Sequence, residues 1–371
     1  MYRHLVEREP FELHVVSNAD FADDLLIQTK LKLPYLVERL RKSRYGPRFS
    51  KWIADYQNLI WTLTIPKALD EAITRFKPDV ILTLAETNLC HIAAKAAKKH
   101  KIPLAGLFLD WFPIMKGHFG HRWTRKILST RYRKLYHQCD LALCASDGMK
   151  EMLGDHPNSH VIYPMPGQHI IPDTFVPPKT GKFRIVYVGS VQDFYGRMIC
   201  SLIQTIEETH DLEIIVVGPN ADWPAEILNR AKEKGIYLGF KPPSEAAEVL
   251  AGADALLVVM SFEPEHRLFM ETSFTTKFLD YSAYGKPMIL WGPEYCTPVK
   301  VAKREGVAMV IDTPDFHKII NSMREIKGHP ELRSILARKA TELHLGLFSP
   351  DRLQGAFVDQ IERLTKKPTI K

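Results

Sequence analysis

The 371-residue sequence predicts an α/β protein built from two doubly wound parallel sheets. Short apolar runs rich in β-branched residues alternate with helical segments along the chain, which is typical of parallel sheets covered by helices. A segment with five prolines and no hydrophobic period, residues 164–182, interrupts this alternation once and has the character of an interdomain connection. The chain also exceeds the length that one hydrophobic core usually fills.

In the first half we predict strands at residues 13–17, 79–84, 103–109, 141–144 and 161–164. The clearest helix covers residues 87–100, and its basic end suits the negative end of the helix dipole. The chain opens with a predicted helix at residues 2–9, whereas a buried strand and a glycine-rich turn usually open such a domain. We therefore expect the first domain either to lack its leading strand or to be a reduced variant.

After the connection the pattern predicts strands at residues 183–189, 212–218, 236–240, 254–260 and 287–291, each followed by a helical segment. A last helix begins at residues 349–351, where Asp351 suits the first turn. We predict domains at residues 1–165 and 182–348. The helix within residues 349–371 is expected to pack back on the first domain.

Composition narrows the class of protein. The sequence has no stretch of about 18 apolar residues that would span a membrane, and its first residues lack the apolar core of a signal peptide. Five cysteines without metal-type spacing favour a reducing compartment, so we expect a cytoplasmic protein. The net charge of +7 permits partners that carry phosphate, although no motif for reading nucleic acid is present.

Residues 273–290, SFTTKFLDYSAYGKPMIL, hold the most informative pattern. A polar turn leads into a helix, and such a helix start is suited to phosphate. Ser273, Thr275 and Thr276 can donate hydroxyls or cap the helix. Lys277 can neutralise a pyrophosphate. Asp280, one turn later, can accept hydrogen bonds from both hydroxyls of a ribose. The alternative is a capped amphipathic helix with both charges in solvent.

This segment resembles the signature of GT4-like retaining glycosyltransferases, P-x-K followed by two hydrophobic residues, E-Y, and later A-x-G-K-P. The order of strands is also similar, so the resemblance covers nearly the whole chain. It implies the GT-B fold, in which two Rossmann-like domains face a cleft. It also implies that Asp280 replaces the ribose-binding glutamate of the family and that Thr275 and Lys277 lie near the donor phosphates.

Two departures from the family pattern concern this site. The second family glutamate falls at Thr272, so its neighbour Glu271 is the candidate facing the sugar. In the turn from Gly189 to Arg197, the two basic phosphate clamps of the family are replaced by Ser190 and Tyr195. We expect Arg197 to compensate and the N–H groups of Gly189 and Ser190 to approach phosphate. An ordinary strand-to-helix turn is the alternative.

In the first domain, Asp110 follows a buried strand, where a carboxylate can orient or deprotonate an acceptor hydroxyl. Its alternative role is to cap the next turn. Glu86 follows the preceding strand in the same way. Because the family often places a histidine against the donor sugar, His118 and His121 are candidates, with a surface position as the alternative. Of the two, His118 is the predicted catalytic residue.

Two basic segments with interleaved aromatic residues, 40–52 and 116–134, suit an anionic membrane or a lipid-linked phosphate acceptor. Solvated helix faces are the alternative. The sequence has no D-x-D triplet and no His/Cys cluster, so we expect no metal. Lys277, Arg197 and helix N-termini would then neutralise the diphosphate.

Together these observations predict a metal-independent, retaining glycosyltransferase. It would move a sugar from a nucleotide-diphosphate sugar to a hydroxyl acceptor during polysaccharide or glycolipid synthesis, with no cofactor besides that donor. A peripheral position at the inner membrane face fits the basic segments. Two other classes stay open at this point: an epimerase or phosphorylase of the same fold, and a non-catalytic binding protein.

Overall fold

The computed structural model describes residues 2–19, 26–114, 120–167 and 181–366. The chain divides into two compact units. Unit 1 comprises Met1–Tyr163 and Gln354–Lys371, and unit 2 comprises Pro164–Leu353.

The strands of unit 1 are β1 (His14–Ser17), β2 (Ile27–Lys30), β3 (Ile81–Leu84), β4 (Leu104–Phe108), β5 (Leu141–Cys144) and β6 (Ser159–Val161). Its helices before residue 163 are α1 (Tyr2–Leu5), α2 (Tyr35–Lys42), α3 (Gly46–Asp55), α4 (Lys67–Phe76), α5 (Leu89–His100), α6 (Thr124–Gln138) and α7 (Asp147–Leu153). A π-helical turn (Tyr56–Ile60) and two 3-10 turns (Trp61–Leu63, Phe112–Ile114) complete it.

The strands of unit 1 form two parallel sheets. One pairs β1 with β2, and the other has the order β3-β4-β5-β6. Because the second order follows the chain and such crossovers are right-handed, α5, α6 and α7 share one face of that sheet. Against the sheet also packs the C-terminal helix α16 (Pro350–Lys366), whose Phe357, Ile361 and Leu364 lie in one cluster with Leu107 and Leu143.

The strand predicted at residues 13–17 is present as β1. It pairs with β2, which the sequence pattern did not predict, in a separate two-stranded sheet. Three of the four residues of β2 are exposed, so it has no apolar run to detect. The last strand lies at Ser159–Val161, two residues earlier than expected, where His160 is opposite Leu143.

The strands of unit 2 are β7 (Phe183–Val188), β8 (Leu212–Val217), β9 (Ala255–Val259), β10 (Met288–Trp291) and β11 (Ala308–Ile311). Its helices are α8 (Asp193–Glu207), α9 (Ala225–Glu233), α10 (Pro243–Ala251), α11 (Arg267–Thr272), α12 (Thr276–Ser282), α13 (Thr297–Glu305), α14 (Phe316–Gly328) and α15 (Pro330–Leu345), with a 3-10 turn at Pro264–His266.

Unit 2 is a doubly wound parallel sheet in the order β11-β10-β9-β7-β8. The chain starts in the interior at β7, adds β8 on one side, and then returns to add β9, β10 and β11 on the other. The order therefore reverses between β7 and β9. In open parallel sheets such a switch point is where ligands bind, outside the carboxyl ends of the strands.

The predicted α/β class with parallel sheets is confirmed. The strand expected at residues 236–240 is wrong, because only Tyr237 pairs, through a single bridge to Val216. Gly235 and Gly239 adopt φ of +68° and +69° on either side and end any extended run. Strand β11 was not predicted, because its residues are mostly half-buried and give a weak apolar signal.

We expect Phe357→Ala to lower the free energy of unfolding by about 3–5 kcal/mol, the usual cost of removing a buried phenylalanine ring. The ring is fully buried between α16 and the sheet of unit 1. Urea denaturation followed by circular dichroism measures the effect. The matched control is Phe240→Ala, whose ring is 68% exposed and whose loss should cost less than about 0.5 kcal/mol. Equal effects in both variants would contradict the assigned packing of α16.

Candidate functional site

The candidate site of unit 2 is centred on Gly189, the first residue after β7 at the switch point. Its N–H donates to the carbonyl of Val217 over 2.9 Å, so the turn stays attached to β8. Its φ is +150°, in a region that side chains with a Cβ rarely adopt. The turn then continues through the exposed Ser190, whose carbonyl accepts a hydrogen bond from the Tyr187 hydroxyl over 2.6 Å.

Lys277, in the first turn of α12, lies directly on Gly189. A Cβ added to Gly189 would stand 2.0 Å from Lys277 Cε and 2.9 Å from its Nζ. Glycine is therefore the residue that leaves room for the lysine. Lys277 and the Gly189 turn lie about 90 residues apart in the sequence, and the fold brings them together at the switch point.

Aromatic rings surround the ammonium group of Lys277. Its Nζ lies 4.3 Å from the centroid of Tyr195 and 5.5 Å from that of Tyr187, distances at which the ring faces attract a cation. Burial lowers the pKa of Lys277 to about 8, and the negative charge of Asp280 offsets part of that shift. Lys277 is thus a half-buried cation at neutral pH.

Asp280 lies one helical turn after Lys277 on α12 and is half-buried. Its Oδ1 accepts a hydrogen bond from the backbone N–H of Gly167 over 2.8 Å. Gly167 belongs to the proline-rich connection, which the sequence did not place at this site. Asp280, the residue predicted to bind ribose, therefore also holds the proline-rich connection through Gly167.

Tyr281 attaches α12 to the end of β7. Its hydroxyl accepts from the N–H of Val188 over 2.8 Å and donates to the carbonyl of the same residue over 3.0 Å. Burial raises the pKa of this phenol well above its usual range. These two hydrogen bonds hold α12 next to Val188 and so set the distance between Lys277 and the next residue, Gly189.

The predicted hydroxyl residues occupy three different environments. Ser273 is buried before the helix, Thr275 stands at its N-cap position, and Thr276 is exposed. The side chain of Thr275 makes no capping hydrogen bond. With only seven residues, α12 is too short for its dipole to dominate, so Lys277 is the main positive feature of the segment.

Arg197, which the sequence predicts near the donor phosphates, is paired with a carboxylate in this structure. Its guanidinium binds the Glu263 carboxylate with two nitrogens, at 2.6 to 2.9 Å, and this pairing raises its pKa. Asp193 and Asp222 add further negative charge nearby. The N–H of Asp193 donates to Asp222 over 2.8 Å at the start of α8, so that helix start is already occupied by a carboxylate.

Glu271, the predicted partner for the sugar, lies near the end of α11. Its carboxylate accepts a hydrogen bond from Nε of Arg267, one turn earlier, over 2.8 Å. Its backbone carbonyl accepts from the Thr297 hydroxyl over 2.6 Å. Both Glu263 and Glu271 thus form ion pairs with arginines in this structure.

In unit 1 two carboxylates follow adjacent strands. Glu86 comes after β3 and Asp110 after β4, whose pairing places Leu84 opposite Leu107. Burial raises the pKa of Glu86, and the charge of Asp110 raises it further. The carbonyl of Asp110 accepts hydrogen bonds from the Tyr132 hydroxyl over 3.0 Å and from the N–H of Phe112 over 2.8 Å.

The two candidate histidines have separate outcomes. His118 lies outside the described residues. His121 is half-buried and its Nδ1 contacts the buried carboxylate of Asp55. The N–H groups of Gly120 and His121 donate to the same carboxylate over 3.0 and 3.2 Å. His121 is thereby bound to α3.

Within the described ranges, no three His, Cys, Asp or Glu side chains come close enough together to bind a metal ion. Over the same ranges, no helix has the length and apolar character needed to cross a bilayer.

Comparison with known proteins identifies relatives of this fold. Residues 2–165 match the family model described as Glycosyltransferase Family 4. No curated protein sequence matches the chain significantly.

Several solved structures share the architecture. A glycosyltransferase from Rickettsia africae ESF-5 superposes with a TM-score of 0.65 at 14% identity, covering 96% of this chain and 90% of that one. Sucrose-phosphate synthase from Thermosynechococcus elongatus gives 0.58 at 13% identity, with 91% and 83% covered. HepE from Anabaena, solved in complex with UDP, gives 0.59 at 13% identity, with 80% and 82% covered. The predicted GT-B fold is confirmed.

Tyr281→Phe should loosen the attachment of α12 to β7. The substitution leaves the N–H and carbonyl of Val188 without their partner, which costs about 1–3 kcal/mol when such groups are buried. Thermal unfolding measures the loss, and hydrogen exchange should show faster exchange at Val188. Tyr295→Phe is the control, because its hydroxyl has no hydrogen bond to any part of the chain that the structure describes. Unchanged exchange at Val188 would contradict the assigned contact.

Proposed function

We propose that this chain, a GT4-like glycosyltransferase with the GT-B fold, transfers a sugar with retention from a nucleotide-diphosphate donor to a hydroxyl acceptor. The observation that carries the proposal is the position of Lys277 on Gly189, at the switch point of unit 2. Such a point is where a doubly wound sheet binds its ligand. A cation and a glycine turn at that point provide charge and close backbone approach for a diphosphate.

In this proposal Lys277 neutralises the donor diphosphate, and the N–H of Ser190 together with the hydroxyls of Ser273, Thr275 and Thr276 supply hydrogen bonds. The surroundings support this role, because Lys277 is already desolvated and held by aromatic rings. A charge fixed before the reaction stabilises the leaving diphosphate without reorganisation. We propose a metal-independent reaction in which this lysine supplies the positive charge.

Asp280 is proposed to bind the ribose hydroxyls through its carboxylate, which also holds the N–H of Gly167. Arg197 can assist only if its pair with Glu263 opens, so we assign it a secondary role. Glu271 is proposed to face the sugar, which requires release from Arg267. HepE was solved with UDP, and uridine nucleotides are therefore the first donors to test.

On the acceptor side, Asp110 is proposed to orient or deprotonate the hydroxyl. Its neighbour Glu86 supports this assignment, because burial and the charge of Asp110 raise the pKa of Glu86, so the two carboxyl groups lie close enough to interact. His118 stays a candidate for contact with the donor sugar. The acceptor itself is proposed to be a glycan or a lipid-linked carrier.

We further propose a cytoplasmic location with peripheral attachment to a membrane. All five cysteines are buried free thiols, which suits a reducing compartment. The basic segments provide the attachment.

Lys277→Ala and Asp280→Asn should each weaken donor binding roughly tenfold to a hundredfold, the effect of losing one charge-assisted contact. Asparagine keeps an oxygen for the N–H of Gly167, so the connection stays in place. A thermal-shift panel of nucleotide sugars identifies the donor, and calorimetry measures its affinity. Lys232→Ala, an exposed lysine of α9, is the control. Wild-type affinity in both site variants would overturn the site assignment.

Donor affinity should fall as the pH rises through about 8, since the free site loses the positive charge of Lys277 there. The fall follows from linkage, because the anionic donor favours the protonated lysine. In Lys277→Arg the affinity should stay level up to about pH 9, because arginine remains charged. Calorimetry with the identified nucleotide sugar measures both profiles. If wild type and Lys277→Arg lose donor affinity over the same pH range, the titrating group is not Lys277.

Incubation of the identified donor with and without candidate acceptors distinguishes a transferase from an epimerase or phosphorylase and from a non-catalytic binding protein. A transferase releases nucleotide much faster with its acceptor, and NMR of the product reports the anomeric configuration. An epimerase converts the donor with no acceptor. A binding protein binds the donor and leaves it intact, which would overturn the proposed reaction while preserving the site.

A further inference from the structure

Unit 1 carries an unusual concentration of exposed apolar side chains. Ten of the fifteen large apolar residues that are exposed in the described ranges lie at residues 35–63 and 123–127. Trp52 is 61% exposed and Trp123 is 56% exposed, while Tyr35 and Leu36 are about three-quarters exposed. Single exposed apolar residues are ordinary, but a concentration of them marks an interaction surface.

Direct contacts join the two stretches into one surface. The ring of Trp52 on α3 packs against His121 with centroids 4.5 Å apart, and His121 stacks on Trp123 at 6.5 Å. The buried carboxylate of Asp55 holds this arrangement, because it accepts the N–H groups of Gly120 and His121. We name the surface formed by residues 35–55, which include α2 and α3, and residues 121–127 the aromatic face.

The aromatic face is strongly basic. Its two carboxylates are both engaged, Glu38 by Arg41 and Lys42, and Asp55 by the loop at residues 120–121. Its positive residues number nine: Arg39, Arg41, Lys42, Arg44, Arg48, Lys51, Arg122, Arg125 and Lys126. Cations and large aromatic groups thus alternate over the same helices.

We propose that the aromatic face docks the protein on the surface of a bilayer that contains anionic lipid. Tryptophan and tyrosine favour the boundary between headgroups and acyl chains, because one part of the ring is apolar and another is polar. Lysine and arginine bind the headgroup phosphates, and amphipathic helices with both features lie in the plane of the interface. Attachment of this kind needs no spanning helix.

The positive charge of the aromatic face favours a lipid surface over a second copy of the chain as its partner. A twofold symmetric contact would bring the nine cations of one face against the same nine of the other, and like charges across an interface are costly. An anionic bilayer removes that repulsion. The proposal assigns the peripheral location proposed above to a defined surface, and it does not depend on the transfer reaction.

Vesicle flotation tests the proposal with the full chain and two kinds of vesicle, pure phosphatidylcholine and phosphatidylcholine with about 30% phosphatidylglycerol. Wild type should float with the anionic vesicles only, and less so at high salt, where headgroup attraction is screened. Trp52→Ala/Trp123→Ala removes the aromatic part, and Arg48→Glu/Lys51→Glu reverses two charges. Each double variant should bind at least about tenfold more weakly, since one basic residue near the headgroups contributes about 1 kcal/mol.

Two matched controls lie in unit 2. Phe240→Ala removes an equally exposed aromatic ring, and Lys232→Glu/Lys318→Glu reverses two exposed charges. Both should bind vesicles like wild type, and circular dichroism checks that every variant is folded. Failure of wild type to bind anionic vesicles, or equal losses in the controls, would overturn the proposal. So would a dimer in analytical ultracentrifugation that the tryptophan variant alone converts to monomer.

Donor binding is measured on the same variants. The tryptophan and charge variants should retain the donor affinity of wild type, because the aromatic face belongs to unit 1 and the donor site to unit 2. Failure of donor binding in all proteins would count against the proposed transferase alone. Loss of vesicle binding in the controls would count against the aromatic face alone.

Discussion

The contact between Lys277 and Gly189 is the constraint on which the site of unit 2 depends. The Cε methylene of Lys277 occupies the space that a Cβ at residue 189 would fill, and the Tyr281 hydroxyl holds α12 at this distance by hydrogen bonding to both backbone groups of Val188. Neither residue could keep this arrangement in a sheet of different order, because α12 follows β9 and Gly189 follows β7. The reversal of strand order brings these two connections to one place.

Arg197 and Lys277, the two cations that the sequence predicts to neutralise a diphosphate, have different electrostatic surroundings. Arg197 is exposed and is bound by Glu263, with two more carboxylates nearby. Lys277 lies in a desolvated position between tyrosine rings, where its pKa falls to about 8. A charge that has already lost water gains more from an incoming anion than a hydrated one, since little further solvent is displaced. The proposed donor site therefore relies on one preorganised cation.

Unit 1 combines a sheet with a buried apolar cluster and a surface of exposed aromatic and basic side chains. Helix α16 and the sheet share a buried apolar cluster, and the carboxylates of Glu86 and Asp110 follow adjacent strands of that sheet. The segment between β2 and β3 instead exposes aromatic and basic side chains on α2 and α3. Asp55 and His121 connect this segment to the start of α6. The same unit can thus hold proposed acceptor groups and a proposed membrane surface.

Local periodicity and turn residues were enough to predict the α/β class and the proline-rich connection, and a short contiguous motif was enough to select residues 273–290 as the candidate site. It did not determine the separation of β1 and β2 from the other strands, since β2 is mostly exposed and has no apolar pattern. Three contacts became visible only in the folded chain: Lys277 lies on Gly189, Arg197 pairs with Glu263, and the N–H of Gly167 donates to Asp280. Each of these contacts joins residues between 66 and 113 positions apart, and chain order does not show which side chains meet until the strand order is known.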